Sequence, residues 1–239
     1  MEPALYPYQI IERYASSKNA SYFRAPRADN GADTYLRVIP ISSFSGANEL
    51  LSLQLTVQKQ SAFRHPSVIP LGLPDVSANG LILNQAYITG KSLSDTLKDS
   101  GRPMALEDAF STAYTVISAL AALHGQSLAH GSLTSNHILI TPEEEVFVSF
   151  LPLPNDYDSK IKRYRHTGTN AETPNPRDDV FALGVVLTEI FTGLIPYGGS
   201  VADSHRNANK YYEYYESGLA NLEGFPARDV ADLILSCLS

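Results

Sequence analysis

Short apolar and β-branched runs separated by turn residues predict that the chain begins with a β-sheet. The runs lie at residues 10–11, 22–23 and 35–39. Asn30-Gly31 precedes the third run, and this dipeptide is typical of a tight hairpin turn between antiparallel strands. We therefore expect a hairpin between the second and third strands.

The next segment adds one helix and two more strands. Residues 47–63 place leucines near helical spacing and predict the helix. Short β-prone runs at 69–71 and 81–83 predict the strands, and the residues 74–80 between them predict a loop. The first part of the chain thus predicts a five-stranded sheet with one helix.

Helical patterns dominate after Gly90. A short helix begins near Ser92 and stops before Pro103, and a long one is predicted over 106–124. One face of the long helix is apolar, and we expect it in the core. That face consists of Phe110, Ala113, Ile117, Leu120 and Leu123. Two β-prone segments and three helical patterns follow, at 137–140, 146–148, 179–192, 203–217 and 227–238.

These patterns predict an α+β fold with two lobes. The β-rich lobe comprises residues 1–88, and the mainly helical lobe comprises residues 89–239. Residues 109–142 contain no charged side chain, but serines and threonines interrupt the apolar run, and its helical pattern ends by His124. That is short of the roughly 20 apolar residues that a membrane span needs. We therefore expect a buried core helix there.

Composition and charge narrow the classes of function. The chain has 44% hydrophobic and 18% charged residues, which is typical of a globular domain. Its net charge of −7 argues against nucleic acid and anionic membranes as partners, because phosphate attraction requires clustered Lys and Arg. The single cysteine, Cys237, cannot form an internal disulfide, and the N-terminus does not resemble a signal peptide. We therefore expect a cytoplasmic protein.

Two motifs carry a resemblance to a known family. They are HGSLTSNHILI at 130–140 and DVFALGVVLTEIFTGLIPY at 179–197. The chain resembles the eukaryotic-type protein kinase domain, and the predicted elements follow the order of that family. HPSVI at 65–69 is similar to a conserved turn of the family, and YITGKSL at 87–93 is similar to its hinge. The resemblance covers about residues 8–238 and implies a bilobal kinase-like fold that lacks the family's last C-terminal helices.

The resemblance implies which positions would hold nucleotide phosphates. Other residue types stand at these positions in this chain. Ala15, Ser17 and Ala20 stand where the family has the three glycines of its phosphate loop. The strand lysine that grips the phosphates aligns with Arg37, which keeps the charge but not the compact ammonium. The helix glutamate that would pair with this lysine falls near Thr56.

The positions that the family uses for proton transfer and metal binding also carry other residue types. Ser132 stands where the family has the aspartate that receives the substrate proton. His137 and Ser149 stand at the two magnesium ligands, so no carboxylate is left for the metal. His124, His130 and His137 have no acidic or cysteine partners nearby in the sequence, so a histidine metal site is not expected either. The resemblance therefore implies neither a metal site nor a cofactor, and Mg-ATP is not expected to bind.

The chain keeps the family's residue types at positions that stabilise the interior of the fold. The resemblance assigns His130 and Phe150 to an internal hydrophobic spine, and Asp179 to the residue that hydrogen-bonds the catalytic-loop backbone. A sequence that keeps packing positions and loses phosphate and metal positions resembles a pseudokinase, by analogy with STRAD and the Tribbles proteins. We predict that the chain is not an enzyme but an inactive kinase homologue that binds another protein as a scaffold or allosteric regulator.

Two enzymatic interpretations compete with this prediction. A degenerate kinase could bind nucleotide without metal through Arg37 and Lys18, or could catalyse weak atypical transfer. Ser132 and His130 could form a nucleophile and its base, but no orienting carboxylate lies nearby in the sequence.

Tyr211, Tyr212 and Tyr215 are the candidate partner-binding residues. On the predicted helix 203–217, Tyr211 and Tyr215 share a face and Tyr212 lies beside them. Tyrosine is enriched in protein interfaces. Burial of the same rings in the core would produce the same pattern.

Overall fold

A computed structural model gives the fold of the protein. It describes residues 5, 7–16, 19–77, 80–152, 164, 175–193 and 227–238. A five-stranded sheet and one helix form the N-terminal lobe, and helices with a small three-stranded sheet form the C-terminal lobe. This arrangement confirms the predicted α+β bilobal fold class. The lobe limits at residues 88 and 89 stay a prediction.

The N-terminal sheet is antiparallel throughout. It contains β1 (Glu12–Ser16), β2 (Ser21–Arg24), β3 (Thr34–Ile39), β4 (Asp75–Ser77) and β5 (Gly80–Ala86). Its strand order is β1-β2-β3-β5-β4. Gly31, in the connection between β2 and β3, has a φ of 68°, a left-handed conformation that glycine adopts without steric cost. The predicted hairpin at Asn30-Gly31 is therefore confirmed.

Three details of the predicted sheet are wrong. The first strand begins after the predicted residues 10–11. Residues 75–77 are not a loop but form β4, because their backbone pairs with β5 in a short hairpin. Residues 69–71 form no strand, and Leu71 makes only an isolated bridge to Gln85. Pro70 has no N–H group, so it cannot donate to a continuous ladder at this point.

Apolar side chains lie on both faces of the sheet, since successive residues of a strand point to opposite sides. Tyr35 belongs to the main core together with Val57 of α1 (Ala47–Gln60). Leu36, the next residue of β3, belongs to a second cluster in which Leu5 and Tyr8 also take part. The N-terminal residues thus cover the face of the sheet that α1 leaves open.

The ends of the C-terminal helices follow from local chemistry. The helices are α2 (Leu93–Ser100), α3 (Leu106–Gly125), α4 (Pro176–Thr192) and α5 (Ala227–Leu238). The accompanying strands are β6 (Lys91–Ser92), β7 (Ile138–Ile140) and β8 (Val146–Val148). Ser92 caps α2 by accepting a hydrogen bond from the Asp95 N–H, and Gly101 ends α2 with a φ of 60°. Asn175 caps α4, and Pro176 occupies its first turn.

The core of the C-terminal lobe lies around α4. Its side chains are buried without interruption from Phe181 to Phe191, and both α3 and α5 pack against it. Gly184 permits the close approach of α5, because a Cβ atom at this position would lie 2.9 Å from the Cβ of Cys237. The helices predicted over 179–192 and 227–238 are confirmed.

The predicted apolar face of α3 is correct except at its start. Ala113, Leu120 and Leu123 are buried, and Ile117 is half-buried. Phe110 is 40% exposed, because the buried stripe runs through Ala109, Ala113 and Val116 and leaves Phe110 at its edge.

The helix predicted at 203–217, with Tyr211, Tyr212 and Tyr215, lies outside the described residues. Within the part of the chain that the structure describes, no helix is long and apolar enough to cross a membrane.

Candidate functional site

The carboxylate of Asp179 holds the loop that begins at His130. Asp179 lies in the first turn of α4 and is 1% exposed. Its Oδ2 accepts a hydrogen bond from the His130 N–H at 2.7 Å, and its Oδ1 accepts one from the Gly131 N–H at 2.8 Å. The Nε2 of His124, near the end of α3, lies 2.9 Å from Oδ2. These contacts compensate the burial of the carboxylate, and they include the backbone contact that the resemblance implies.

His130 and Phe150 stack in the interior beside this loop. Their ring centroids are 5.3 Å apart, and their planes differ by 18°. The Nε2 of His130 lies 2.9 Å from the carbonyl oxygen of Ser149. Both side chains are buried. The structure thus brings together the two residues that the resemblance assigns to the hydrophobic spine.

His137 lies in the same buried cluster. Its Nδ1 is 3.0 Å from the Thr134 hydroxyl, and its ring meets His130 edge-on at 4.9 Å. Burial lowers the pKa of His137 well below its usual value, and the charges of His130 and Arg37 act in the same direction. Burial also lowers the pKa of His130, although the Asp179 carboxylate opposes this effect. Both imidazoles are therefore neutral at neutral pH.

We expect the free energy of unfolding to fall as the pH falls below about 6.5, the usual histidine pKa. The pKa values of His130 and His137 are lower in the folded than in the unfolded chain, so the unfolded chain binds more protons in this range. Each histidine then costs up to about 1.4 kcal/mol per pH unit. Urea unfolding of wild type and His137→Asn between about pH 5 and 8 measures the effect. His137→Asn should flatten the profile, and an unchanged profile would contradict this account.

Ser149 stands where the resemblance implies a metal-binding carboxylate. Its side chain is fully buried. Its Oγ lies 2.9 Å from Gln85 Oε1 and 2.5 Å from the carbonyl oxygen of Leu151, and it accepts a hydrogen bond from the Leu151 N–H at 3.1 Å. The hydroxyl is therefore surrounded by protein partners.

Arg37 lies in β3, and Ser132 lies in the loop that begins at His130. The guanidinium carbon of Arg37 is 5.9 Å from the centroid of the Tyr22 ring, and its charge acts on His137. Ser132 is half-buried, and its N–H lies 3.4 Å from the Nδ1 of His130. Arg37 thus brings a positive charge to the loop, while Ser132 brings no charge.

The predicted phosphate-loop positions fall in the hairpin between β1 and β2. Ala15 belongs to β1 and lies opposite Tyr22 of β2. Ala20 is 1% exposed and packs in the main core. Ser17 lies outside the described residues.

The residues present do not fit the magnesium ion that the kinase family binds at these positions. Magnesium requires hard oxygen ligands in near-octahedral geometry, usually with carboxylates. Ser132, His137 and Ser149 supply two hydroxyls and one buried neutral imidazole, and the Ser149 hydroxyl already contacts protein atoms. Among the described residues, no three acidic, histidine or cysteine side chains lie together as a metal site.

Sequence reasoning missed three buried polar contacts around the loop. One is the contact of Gln85 with Ser149. The Nε2 of Gln60, at the end of α1, donates to the Ala129 carbonyl at 2.8 Å. The Tyr35 hydroxyl donates to the Pro152 carbonyl at 2.8 Å. Each partner lies at least 64 residues away, so no local spacing could reveal these pairs.

Tyr164 makes a further buried contact that the sequence did not predict. Its hydroxyl lies 2.9 Å from Ser135 Oγ and donates to the Glu189 carboxylate of α4. Burial raises the pKa of Tyr164 well above its usual value, and the charge of Glu189 adds to this effect. The phenol therefore stays neutral and links the loop to α4.

A small cavity lies beside the segment that resembles the kinase hinge. Its volume is about 180 Å³, and Tyr14, Tyr35, Gln85, Tyr87 and Asp95 contribute to its walls. Pockets for drug-sized ligands usually measure about 300–1,000 Å³. The cavity therefore suits a smaller molecule.

Comparison with known families now decides what the resemblance only implied. Residues 45–239, most of the chain, match the family described as protein tyrosine and serine/threonine kinase. The chain belongs to the protein kinase family. Asp179, His130 and Phe150 all lie within the residues that match the family.

Curated relatives of this kinase domain are named as serine/threonine-protein kinases. PrkC of Bacillus subtilis is 20% identical over 211 residues, which are 82% of this chain and 32% of the relative. Pkn3 of Myxococcus xanthus is 23% identical over 217 residues, 80% of this chain and 39% of the relative. A probable serine/threonine-protein kinase of Clostridium perfringens is 29% identical over 146 residues, which are 56% of this chain and 20% of the relative. The kinase domain thus matches between 20% and 39% of the length of these relatives.

These comparisons contradict the prediction that the chain is not an enzyme. The matching family is one of kinases and the relatives are named as kinases, which points to an enzyme. The prediction relied on residue types at a few positions. Phosphoryl transfer depends mainly on positioning and electrostatic stabilisation, which residue types in a sequence do not by themselves measure.

Proposed function

We propose that this kinase domain regulates another protein by binding it, as a scaffold or allosteric regulator in the cytoplasm. The observation that carries the proposal is how the central loop is held. Ser149 and His137 are buried and contact neighbouring protein atoms, and Asp179 fixes the backbone of the loop. Buried polar networks of this kind make a structure rigid.

Contacts between distant segments support the same proposal. Gln60 ties α1 to the backbone before His130, and Tyr35 ties β3 to Pro152. Gln85 ties β5 to Ser149. A surface that is rigid before binding loses little conformational entropy when a partner docks, which favours affinity.

A direct binding experiment tests this proposal. The purified domain, used as bait, should recover a protein that also binds it in purified form without nucleotide. Replacing Tyr211, Tyr212 and Tyr215 by alanine should weaken that binding by more than about 1 kcal/mol and leave the melting temperature unchanged. Tyr114→Ala is the matched control, because this tyrosine on α3 is 76% exposed.

The outcomes separate the possible roles of these tyrosines. Variants that unfold would show that the rings belong to the core. Variants that fold and bind normally would place the interface elsewhere on the domain. Failure of every recovered protein to bind directly without nucleotide would contradict the proposed function itself.

A second candidate function is nucleotide binding without metal, with weak atypical transfer. Family membership favours it, and so does the cavity beside the hinge-like segment. Arg37, whose charge acts on His137, would contact a phosphate group, and Lys18, the second cation of this hypothesis, lies outside the described residues.

Magnesium and ATP together are expected to leave the melting temperature of the domain unchanged, because the residues present do not form a magnesium site. A bound ligand at about 100 times its Kd would add roughly 2.7 kcal/mol of stability. Thermal melting with Mg-ATP, with ATP plus EDTA, and with magnesium alone makes the comparison. A rise that EDTA does not remove favours the second candidate. A rise that requires magnesium contradicts the assessment of the metal positions.

A further inference from the structure

Three tyrosine rings line the small cavity. The rings of Tyr14 and Tyr87 are parallel within 7°, with centroids 6.5 Å apart and hydroxyls 3.0 Å apart. The ring of Tyr35 is tilted by 50° to that of Tyr14, with centroids 6.0 Å apart. Its hydroxyl donates to Pro152. Because these hydroxyls are hydrogen-bonded to protein atoms, the rings offer mainly their carbon surfaces to the cavity.

The walls of the cavity carry one acidic and one basic side chain, Asp95 and Lys91. Asp95 lines it and accepts a hydrogen bond from the Ser92 hydroxyl at 2.7 Å. The Glu12 carboxylate acts on Tyr14 of the cavity wall, because it adds to the rise of the Tyr14 pKa that burial and Tyr87 cause. These two carboxylates attract a positive ligand.

Two of the cations near the cavity contact carboxylates, and Arg37, whose charge acts on Tyr35, is a third cation nearby. The Nζ of Lys91, which lines the cavity, lies 2.8 Å from Asp99. Arg24 lies 2.6 Å from Asp33. The guanidinium carbon of Arg24 is also 4.2 Å from the centroid of the Tyr87 ring, so this ring already contacts one cation.

We propose that this cavity binds a small alkylated ammonium group of the choline type, either free or as the trimethylated side chain of a lysine. Aromatic rings attract such a cation through their electron-rich faces, and the group needs no hydrogen-bond partner. The carboxylate of Asp95 adds attraction. The volume of about 180 Å³ suits a head group of this size. This ligand class does not follow from kinase family membership.

Binding of choline to the purified chain tests the proposal directly. The comparison ligand is 3,3-dimethylbutan-1-ol, which has the shape of choline without its charge. In titration calorimetry at constant ionic strength, choline should bind about ten-fold more tightly than the neutral alcohol, the difference expected for a cation on aromatic walls. The result is independent of any protein partner, so it can fail while the proposed function stands.

Variants assign the binding to this cavity. Tyr87→Leu removes a ring and should weaken choline binding about ten-fold, whereas Tyr87→Phe keeps the ring and should preserve it. Asp95→Asn keeps the size of the side chain and should weaken binding about three-fold. Tyr114→Leu, at the exposed tyrosine of α3, is the control and should have no effect. Melting curves establish that each variant folds.

A peptide with trimethyllysine, compared with its unmethylated form, distinguishes the two sources of the cation. Tighter binding of the methylated peptide than of choline points to a protein ligand, and the reverse points to a free molecule. Three results would each overturn the proposal. They are equal binding of choline and the neutral alcohol, wild-type affinity in a folded Tyr87→Leu variant, and no binding of either cation. If Tyr87→Leu does not fold, the Asp95→Asn variant and the comparison with the neutral alcohol still test the proposal.

Discussion

Replacing Phe150 by alanine is expected to lower the free energy of unfolding by about 3–5 kcal/mol. The ring is 7% exposed and stacks on His130. His130 cannot move to fill the resulting cavity, because Asp179 holds its backbone and Ser149 contacts its ring. The loss therefore includes the cost of the cavity as well as the lost burial. Urea unfolding followed by circular dichroism measures it.

Phe110→Ala is the matched control for this prediction. Phe110 is 40% exposed on α3 and meets Phe191 edge-on at 5.4 Å, so removing its ring leaves no closed cavity. We expect a loss of about 1 kcal/mol. Equal losses for Phe110→Ala and Phe150→Ala would show that Phe150 does not fill a closed site.

Replacing Asp179 by alanine is expected to cost about 4 kcal/mol or to prevent folding. The change leaves the N–H groups of His130 and Gly131 and the ring of His124 without their acceptor. Each buried polar group that loses its partner costs about 1–3 kcal/mol. Denaturant unfolding of the purified variant, or its yield in folded form, provides the measurement.

Two further variants separate the hydrogen bonds of Asp179 from a general effect of charge. Asp179→Asn keeps one acceptor oxygen and should cost about half as much as Asp179→Ala. Asp178→Asn removes a neighbouring charge from the same first turn of α4 and should cost less than about 1 kcal/mol. A similar loss for Asp178→Asn and Asp179→Ala would mean that helix charge, not the loop contacts, explains the effect.

Long elements with clear end signals could be predicted from the sequence. The end of α4 at Gly193 was predicted, whereas its start at Pro176, after the cap residue Asn175, precedes the predicted start at Asp179. The strand β4 was missed because it has only three residues, too few to show alternation. Its existence depends on the facing strand β5, and pairing of this kind is a tertiary effect.

In the candidate site, too, local motifs could be found in the sequence, whereas contacts between distant residues could not. Asp179, His130 and Phe150 could be placed from motifs, because each keeps a recognisable neighbourhood in the sequence. The contact between Gln85 and Ser149 could not be, since it joins residues 64 positions apart. The prediction that the chain is not an enzyme was wrong. Residue replacements suggested inactivity, whereas the family match and the named relatives point to an enzyme.

The strand order of the N-terminal sheet predicts that a chain without its first three strands aggregates. The family match begins at residue 45, after β1, β2 and β3. A fragment cut there would lose the neighbour of β5 along its whole length and expose the backbone beside Leu81, Ile82 and Leu83. An apolar strand with an open edge recruits other chains and aggregates. We therefore expect the strands before residue 45 to protect this chain against self-association.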